Sequence, residues 1–419
     1  MADFMKELPW GPAQCDWQER INVDRMRRER LARTQAAMKK HGLATSLLFR
    51  PENIRYATGT KGVGFAAQIR FALCFADHEP LMYEHGPTLV HHKTHCPWIK
   101  PENWRLAYSW LAGSVGADAA YETATAWAAG IVADLREKGL DKEKLGVDTV
   151  DDLGRQALTE AGLQLVPANP VLMEARMIKT IDEINCHKIA VAFASKAFYR
   201  LAQILRPGMS ETELVADATA TMLAAGGEQT TSYPKIHSGP NSFENYAGAD
   251  IDRFLEAGDM LYMNICNAIS HFGYLTCYYR DYCVGRKPTE KQKDWHKQVY
   301  DRINNVISAI RPGATTADAA RHFPAAASWG YDSEWWILTK EIGHGMGLSL
   351  YEGPVINRLW SLDHPQVFEE GMVIAIEARE GEPFVGGSRL EEMVVVTKTG
   401  AEVITLVPAD EIISPGTFG

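Results

Sequence analysis

The feature that most constrains the fold is a helix pattern that occurs twice in the second half of the chain. A helix predicted over 180–205 ends in Arg206-Pro207-Gly208, and Ser210-Glu211-Thr212-Glu213 then has the spacing of a capping box that opens the next helix. The same order recurs with a helix over 289–310 that ends in Arg311-Pro312-Gly313 and precedes a second capping sequence. Such a repeat constrains the whole architecture rather than a single site.

Strand-like segments follow each pair of helices, and they complete two similar halves. They lie at 231–238 and 261–284 in the first half, and at 338–348, 371–378 and 391–398 in the second. We therefore expect an α+β domain over 171–419, in which two αα-ββ halves form a pseudo-twofold sheet with the helices outside.

The first part of the chain alternates helices with strands, which predicts a separate α/β domain over 1–170. Its predicted helices are 22–41, 117–138 and 150–162, and its predicted strands are 68–76, 80–84 and 145–148. The domain boundary is placed at Pro167-Ala168-Asn169-Pro170.

Composition and charge limit the classes of molecule that the chain is expected to bind. The 419 residues carry a net charge of −10 without a basic cluster, so we expect no nucleic acid partner. No apolar run approaches the roughly 18 residues of a membrane span, and no secretory signal layout is seen, so we expect a cytoplasmic protein without a membrane partner. The seven scattered cysteines are expected to be reduced thiols.

One histidine and two glutamates stand in strand-like surroundings. His344 is flanked by glycines, which let a ligand approach the backbone, while Glu377 and Glu391 interrupt apolar segments. Buried carboxylates are costly without partners. The three side chains therefore either converge on one polar site across a sheet or are satisfied separately within the core.

The chain resembles the creatinase and aminopeptidase P (pita-bread) family over nearly its whole length. The resemblance rests on 51–59, Arg176-Met177-Ile178-Lys179 followed by Glu183, and His237-Ser238-Gly239-Pro240-Asn241, with His344, Glu377 and Glu391 in the family's order. It implies a pita-bread catalytic domain after a creatinase-like N-terminal domain.

The sequence departs from the family's metallopeptidases at four positions. In those enzymes two aspartates, about eleven residues apart, join the histidine and both glutamates to hold two divalent metals. The corresponding positions here are Cys266 and Cys277. Two further family histidines correspond to Tyr246 and Tyr351.

Creatinase also lacks both aspartates while it keeps the histidine and the glutamates, so the resemblance implies a metal-independent hydrolase without a cofactor. We expect it to cleave a C–N bond in a small cationic or zwitterionic non-peptide, with Glu377 and Glu391 binding the cation. His344 would be the general acid or base, and Tyr246, Tyr351 or His237 would orient water. The two cysteines would line the substrate site.

Three alternatives remain open. A lyase resembling the dimethylsulfoniopropionate lyase branch would eliminate an amine or a sulfide, and Trp335, Trp336 and Trp360 would then enclose an onium group or else fill core. A hydrolase with zinc on Cys266, Cys277 and His344 is the second alternative. A binding module with a decayed active site is the third.

The resemblance also implies a homodimer in which the N-terminal domain reaches the partner's active site. Arg55 and the segment 104–110 are then candidates for contact with the small-molecule substrate. Arg55 can equally form a structural ion pair.

Overall fold

The computed structural model describes residues 21–62, 68–243 and 253–415. The chain divides into two compact units. The first comprises Val23–Arg176, and the second comprises Met177–Gly419 together with residues 21–22. Each unit contains its own sheet and its own apolar core.

The first unit is built on a six-stranded mixed sheet in the order β4-β3-β2-β1-β5-β6. Its strands are β1 Thr45–Leu48, β2 Arg70–Phe75, β3 Leu81–Glu84, β4 Trp104–Leu106, β5 Leu145–Val147 and β6 Leu165–Pro167. Its helices are α1 Val23–Lys40, α2 Pro51–Thr58, α3 Gly86–His95, α4 Ala117–Glu137, α5 Asp152–Glu160 and α6 Asn169–Met177. Trp127 on α4 packs with Phe71 of β2 and Trp110 in the core of this unit.

The helices of the second unit are α7 Ile181–Ile204, α8 Glu211–Ala224, α9 Glu290–Ala309 and α10 Thr316–Ala320. Each begins at a capping box, with Thr180, Ser210, Thr289 or Thr315 as the N-cap residue. In a capping box two backbone N–H groups without helical partners are satisfied, so the helix starts are set by local chemistry. The repeat in the sequence therefore corresponds to two real helix pairs.

An eight-stranded sheet joins the two halves of this unit in the order β14-β13-β15-β16-β12-β9-β8, with β17 paired to β16. Its strands are β8 Lys235–Ser238, β9 Met260–Asn264, β12 Tyr279–Cys283, β13 Ile342–Gly345, β14 Glu352–Ile356, β15 Val373–Glu382, β16 Gly386–Val396 and β17 Ala401–Val403. A small sheet holds β7 Glu228–Gln229, β10 Ile269–His271 and β11 Tyr274–Leu275. The predicted pita-bread fold is confirmed.

Alternation along β15 decides which side chains reach the site. Ile374 and Ile376 pack in the cluster that contains Val299 and Ile303 of α9. Val373 and Ala375 point to the other face and pack in the cluster formed with α7. Because successive side chains of a strand point to opposite faces, Glu377 shares the face of Ala375.

Arg302 ties α9 to the strands that carry the site. Its Nη1 donates to Glu341 Oε1 at 2.5 Å, just before β13, and to the carbonyl of Arg379 on β15 at 3.1 Å. Glu341 is buried, and burial raises the pKa of its carboxyl to about 8 despite the opposing attraction of Arg302 and Arg379.

We predict that Glu341→Gln changes how stability depends on pH. Because the native pKa lies near 8 and the ordinary value near 4.5, the folded state binds the extra proton between these values, and stability falls as pH rises through this window. The unfolding free energy of the wild type minus that of the variant should therefore fall by up to about 1.4 kcal/mol per pH unit.

Urea unfolding between pH 5 and pH 8 measures this difference. Glu370 is exposed, so Glu370→Gln is the control. For this variant the difference in unfolding free energy from the wild type should not change with pH. An equally flat difference for Glu341→Gln would contradict the raised pKa.

Candidate active site

Two carboxylates lie side by side in the centre of the large sheet. Glu377 of β15 is paired directly with Glu391 of β16, and both side chains are buried. Burial raises the pKa of Glu391 well above its usual range, and repulsion by Glu377 raises it further. Burial therefore favours the uncharged form of Glu391, and a cation beside it would favour the ionised form.

Arg389 lies two residues before Glu391 and supplies positive charge on one side of the pair. Its Nη2 is 3.9 Å from Glu377 Oε2, while its Nη1 donates to the Tyr262 hydroxyl at 2.7 Å. The guanidinium also stacks over the Tyr262 ring at 4.4 Å. The sequence reasoning missed Arg389.

His344 faces the glutamate pair from β13. Its Nδ1 lies 3.3 Å from the carbonyl of Gly345, and because a carbonyl only accepts, Nδ1 carries the proton. The other ring nitrogen, Nε2, lies 3.8 Å from Glu391 Oε1. Burial lowers the pKa of His344, so the ring is neutral at pH 7.

Glycine next to His344 permits this placement. A Cβ on Gly345 would lie 2.0 Å from the carbonyl oxygen of Gly353, so β13 and β14 approach too closely for any side chain there. The flanking glycine thus sets the position of His344 through backbone packing.

The structure bonds Cys266 to Cys277 as a disulfide, so the expectation of reduced thiols is wrong for this pair. The sulfur atoms lie 2.9 Å and 3.3 Å from Glu391 Oε2. Backbone hydrogen bonds from Ile265 to Tyr278 and from Asn267 to Thr276 hold the two segments opposite each other. Both sulfurs of the disulfide therefore lie beside Glu391.

Tyr351 forms the outer wall of the site. Its ring lies 4.5 Å from the His344 ring, and the side chain is half exposed. The next residue, Glu352, forms a fully buried ion pair with Lys179 at 3.0 Å and accepts a hydrogen bond from the Ser349 N–H. This ion pair anchors the loop that carries Tyr351.

A cavity of about 360 Å³ opens over these groups. It is lined by Ser232, Lys235, Asn264, Cys266, Asn267, Cys277, Tyr279, Thr339, His344, Leu350, Tyr351 and Glu377. The sequence reasoning identified five of these residues, namely Cys266, Cys277, His344, Tyr351 and Glu377. It missed the polar residues of β8, β9 and β12, because they become neighbours only through strand register.

His237, Trp335 and Arg55 are not among the residues that line this cavity. His237 is buried beside Glu211, with Nδ1 3.5 Å from its carboxylate. Trp335 is 62% exposed and packs edge-on against Trp360. Arg55 lies on α2 in the other unit, and Tyr246 falls outside the described residues. Their roles, like the homodimer, stay predictions.

The residues present fit one metal ion. Glu391 Oε1 is buried without a hydrogen-bond partner among the described residues, and it lies 3.8 Å from His344 Nε2. Cys266, Cys277 and Glu391 place ligand atoms within 4.8 Å of one another. Around a tetrahedral zinc ion, ligand atoms would be separated by about 3.3–3.8 Å. The nitrogen–oxygen distance here is 3.8 Å and the sulfur–oxygen distances are 2.9 Å and 3.3 Å, so the two bonded sulfurs would have to move apart on reduction. Binding requires both thiols to be reduced, because a disulfide offers no thiolate.

Two family models match the chain. The model of metallopeptidase family M24 matches residues 185–398, and the model of the creatinase/prolidase N-terminal domain matches residues 30–178.

Curated relatives include peptidases and a creatinase. The Xaa-Pro dipeptidase of Pyrococcus furiosus is 30% identical over 238 residues, which is 56% of this chain and 65% of that protein. The creatinase of Bacillus sp. (strain B-0618) is 27% identical over 303 residues, or 65% and 69% of the two chains. The alignments thus span about two thirds of each relative.

Solved structures agree on the fold. A recombinant prolidase from Thermococcus sibiricus superposes with a TM-score of 0.74 at 21% identity, covering 93% of this chain and 99% of that one. An Xaa-Pro dipeptidase from Bacillus anthracis superposes with a TM-score of 0.72 at 22% identity, covering 94% and 100%.

These matches contradict two expectations. The metal-independent reaction and the absence of a cofactor are wrong, because the catalytic domain matches a metallopeptidase family and Xaa-Pro dipeptidases are among the relatives. The error arose because the loss of two aspartates was read as the loss of metal, although thiolates are also metal ligands. The lyase branch finds no support in these matches. No helix in the described ranges is long and apolar enough to span a membrane.

We predict that Lys179→Met destabilises the protein by about 3–5 kcal/mol, because it removes the cation of a fully buried ion pair. Lys188→Met is the matched control, since its pair with Glu402 is exposed and should contribute at most about 1 kcal/mol. Urea unfolding measures the loss of unfolding free energy in both variants. Equal effects would contradict the anchoring role of the Lys179–Glu352 pair.

Proposed function

Because the chain belongs to metallopeptidase family M24, we propose that it is a metal-dependent hydrolase that cleaves a C–N bond of a small substrate in the cavity beside Glu377. The observation that carries the proposal is the buried Glu391 oxygen that lacks a hydrogen-bond partner in the described structure. This atom, Oε1, lies 3.8 Å from His344 Nε2, while the other oxygen of the same carboxylate, Oε2, lies beside the two sulfurs, so a cation held by these groups would satisfy the unpaired oxygen.

We assign the metal ligands to Cys266, Cys277, His344 and Glu391. Two thiolates and a neutral imidazole favour a borderline-soft ion such as zinc over the hard cations that carboxylates prefer. When bound, such an ion polarises a substrate carbonyl and lowers the pKa of water. His344 suits this role because burial keeps its ring neutral.

Glu377 is assigned the proton transfer. It lines the cavity, where a carboxylate can accept a proton from water, and the Arg389 guanidinium lies 3.9 Å from its Oε2. The carboxylate would take a proton from the water that attacks the carbonyl carbon. It would then deliver that proton to the nitrogen as the C–N bond breaks, so that the products are a carboxylic acid and an amine.

Tyr351 and the neighbouring loop would limit the access of water to the part of the cavity beside His344. The ring packs on His344, and the buried Lys179–Glu352 pair holds the loop in place. The site would thus combine a fixed base and a fixed imidazole in a partly enclosed cavity, which supports proton transfer at a defined atom.

The metal assignment predicts about one zinc per chain in protein purified with reductant and without chelator. Cys266→Ser/Cys277→Ser should lose this zinc, whereas Cys283→Ser, in the same sheet but outside the site, should keep it. Elemental analysis measures the zinc content of each variant. Oxidation to the Cys266–Cys277 disulfide should release the ion. A mass loss of two hydrogens shows that the disulfide has formed, and the zinc content of the same sample shows the release. Unchanged zinc in the double variant would overturn the assignment.

The assignment of Glu377 predicts that Glu377→Gln lowers kcat on Xaa-Pro dipeptides by about 10²–10⁴-fold, with zinc content and KM little changed. Glu382→Gln, at the exposed end of the same strand, serves as the control. Steady-state kinetics with zinc-loaded, reduced protein provide the test. Full activity in Glu377→Gln would exclude it as the base, and wild-type inactivity on dipeptides and on small non-peptide amides would reject the proposed reaction.

A further inference from the structure

The last turn of α3 carries two histidines side by side on its exposed face. His91 and His95 are four residues apart, which places their side chains next to each other on a helix. Both are exposed, and their rings are nearly parallel, with centroids 4.0 Å apart and an angle of 16° between the ring planes. The helix thus presents two imidazoles together to the solvent.

A hydrogen bond to the helix backbone fixes which nitrogen of His95 is available. Its Nδ1 lies 3.0 Å from the carbonyl oxygen of His91, and because a carbonyl only accepts, Nδ1 carries the proton. The lone pair of the neutral ring is therefore on Nε2. Metal-binding histidines donate their other N–H to a carbonyl or a carboxylate in the same way, which fixes the tautomer and orients the ring.

The ring of His91 is open to a shared ligand. The residues that the structure describes form no hydrogen bond or ion pair with this ring, and its neighbour in the stack is His95. A ligand bound at Nε2 of His95 can therefore also be reached by a nitrogen of His91.

His92, between the two in sequence, points inward and anchors the helix. Its Nδ1 lies 3.0 Å from Glu84 Oε2 on β3, and the same oxygen accepts a hydrogen bond from Arg70 Nε on β2 at 3.0 Å. Glu84 is buried, so this contact attaches α3 to the sheet. The exposed pair consequently stands on a fixed support, which lowers the entropy lost when a ligand binds.

The geometry of the pair suits a metal ion. Metal–nitrogen distances are about 2.0–2.1 Å, so two imidazole nitrogens on one ion lie about 3 Å apart. Rings with centroids 4.0 Å apart reach this spacing by small side-chain rotations. The pair also lies in the last turn of the helix, where carbonyl groups without helical partners favour a positive charge.

We propose that His91 and His95 form a second metal site, which binds a divalent transition ion that prefers imidazole. Copper(II) should bind most tightly, and nickel(II) and zinc(II) more weakly, as the general order of affinities for nitrogen ligands requires. Magnesium and calcium prefer oxygen ligands and should not bind. The site lies in the first unit, so it does not depend on the function proposed for the second.

Equilibrium dialysis of untagged protein against copper(II) at pH 7.5 tests the proposal. The Cys266–Cys277 disulfide is kept intact, so that no thiolate at the candidate active site competes for copper. The wild type should hold one tightly bound copper per chain. His91→Asn and His95→Asn should each weaken this binding by about tenfold or more, because a single imidazole cannot chelate the ion.

His78→Asn is the matched control, since His78 is exposed in the same unit and has no second histidine within four residues. It should bind copper as the wild type does, and all three variants should keep the wild-type melting temperature without copper. Electron paramagnetic resonance should show two imidazole nitrogens on the copper of the wild type. Absence of tight copper binding, unchanged affinity in both His91→Asn and His95→Asn, or equal weakening in His78→Asn would overturn the site.

Discussion

The structure depends on two carboxylates buried side by side on neighbouring strands. Like charges at directly opposed positions repel, and burial removes the water that would otherwise screen Glu377 from Glu391. The guanidinium of Arg389 lies beside Glu377. The pKa of Glu391 is nevertheless raised, and one of its oxygens has no hydrogen-bond partner among the described residues. A cation beside Glu391 would satisfy this oxygen and offset the cost of burying a second carboxylate.

The surrounding fold keeps these groups in place. Central strands that alternate between two apolar clusters cannot slip by one residue without reversing every side chain, so register fixes which residues face the cavity. Arg302 links α9 to β15 and to the residue before β13, and Gly345 permits the close approach that places His344. The positions are therefore set by the sheet rather than by flexible loops.

The sequence was a good guide to the fold because the relevant signals are local. Capping residues such as Ser210 and Thr315 start helices by bonds within four residues, and the repeat made the two halves visible. His344, Glu377 and Glu391 were found because polar residues in apolar strands are conspicuous. Arg389, Lys235 and Asn264 gave weaker signals, since their positions beside the site come from cross-strand register. The disulfide between Cys266 and Cys277 was missed because it depends on the distance between two chain segments that only the fold brings together.

X-ray absorption at the zinc edge, on reduced protein loaded with one equivalent, tests the central claim most directly. The account predicts two sulfur neighbours at about 2.3 Å with nitrogen and oxygen neighbours at about 2.0–2.2 Å, because both thiolates, His344 and Glu391 bind the ion. A shell of nitrogen and oxygen alone, with Cys266 and Cys277 still open to alkylation, would contradict it.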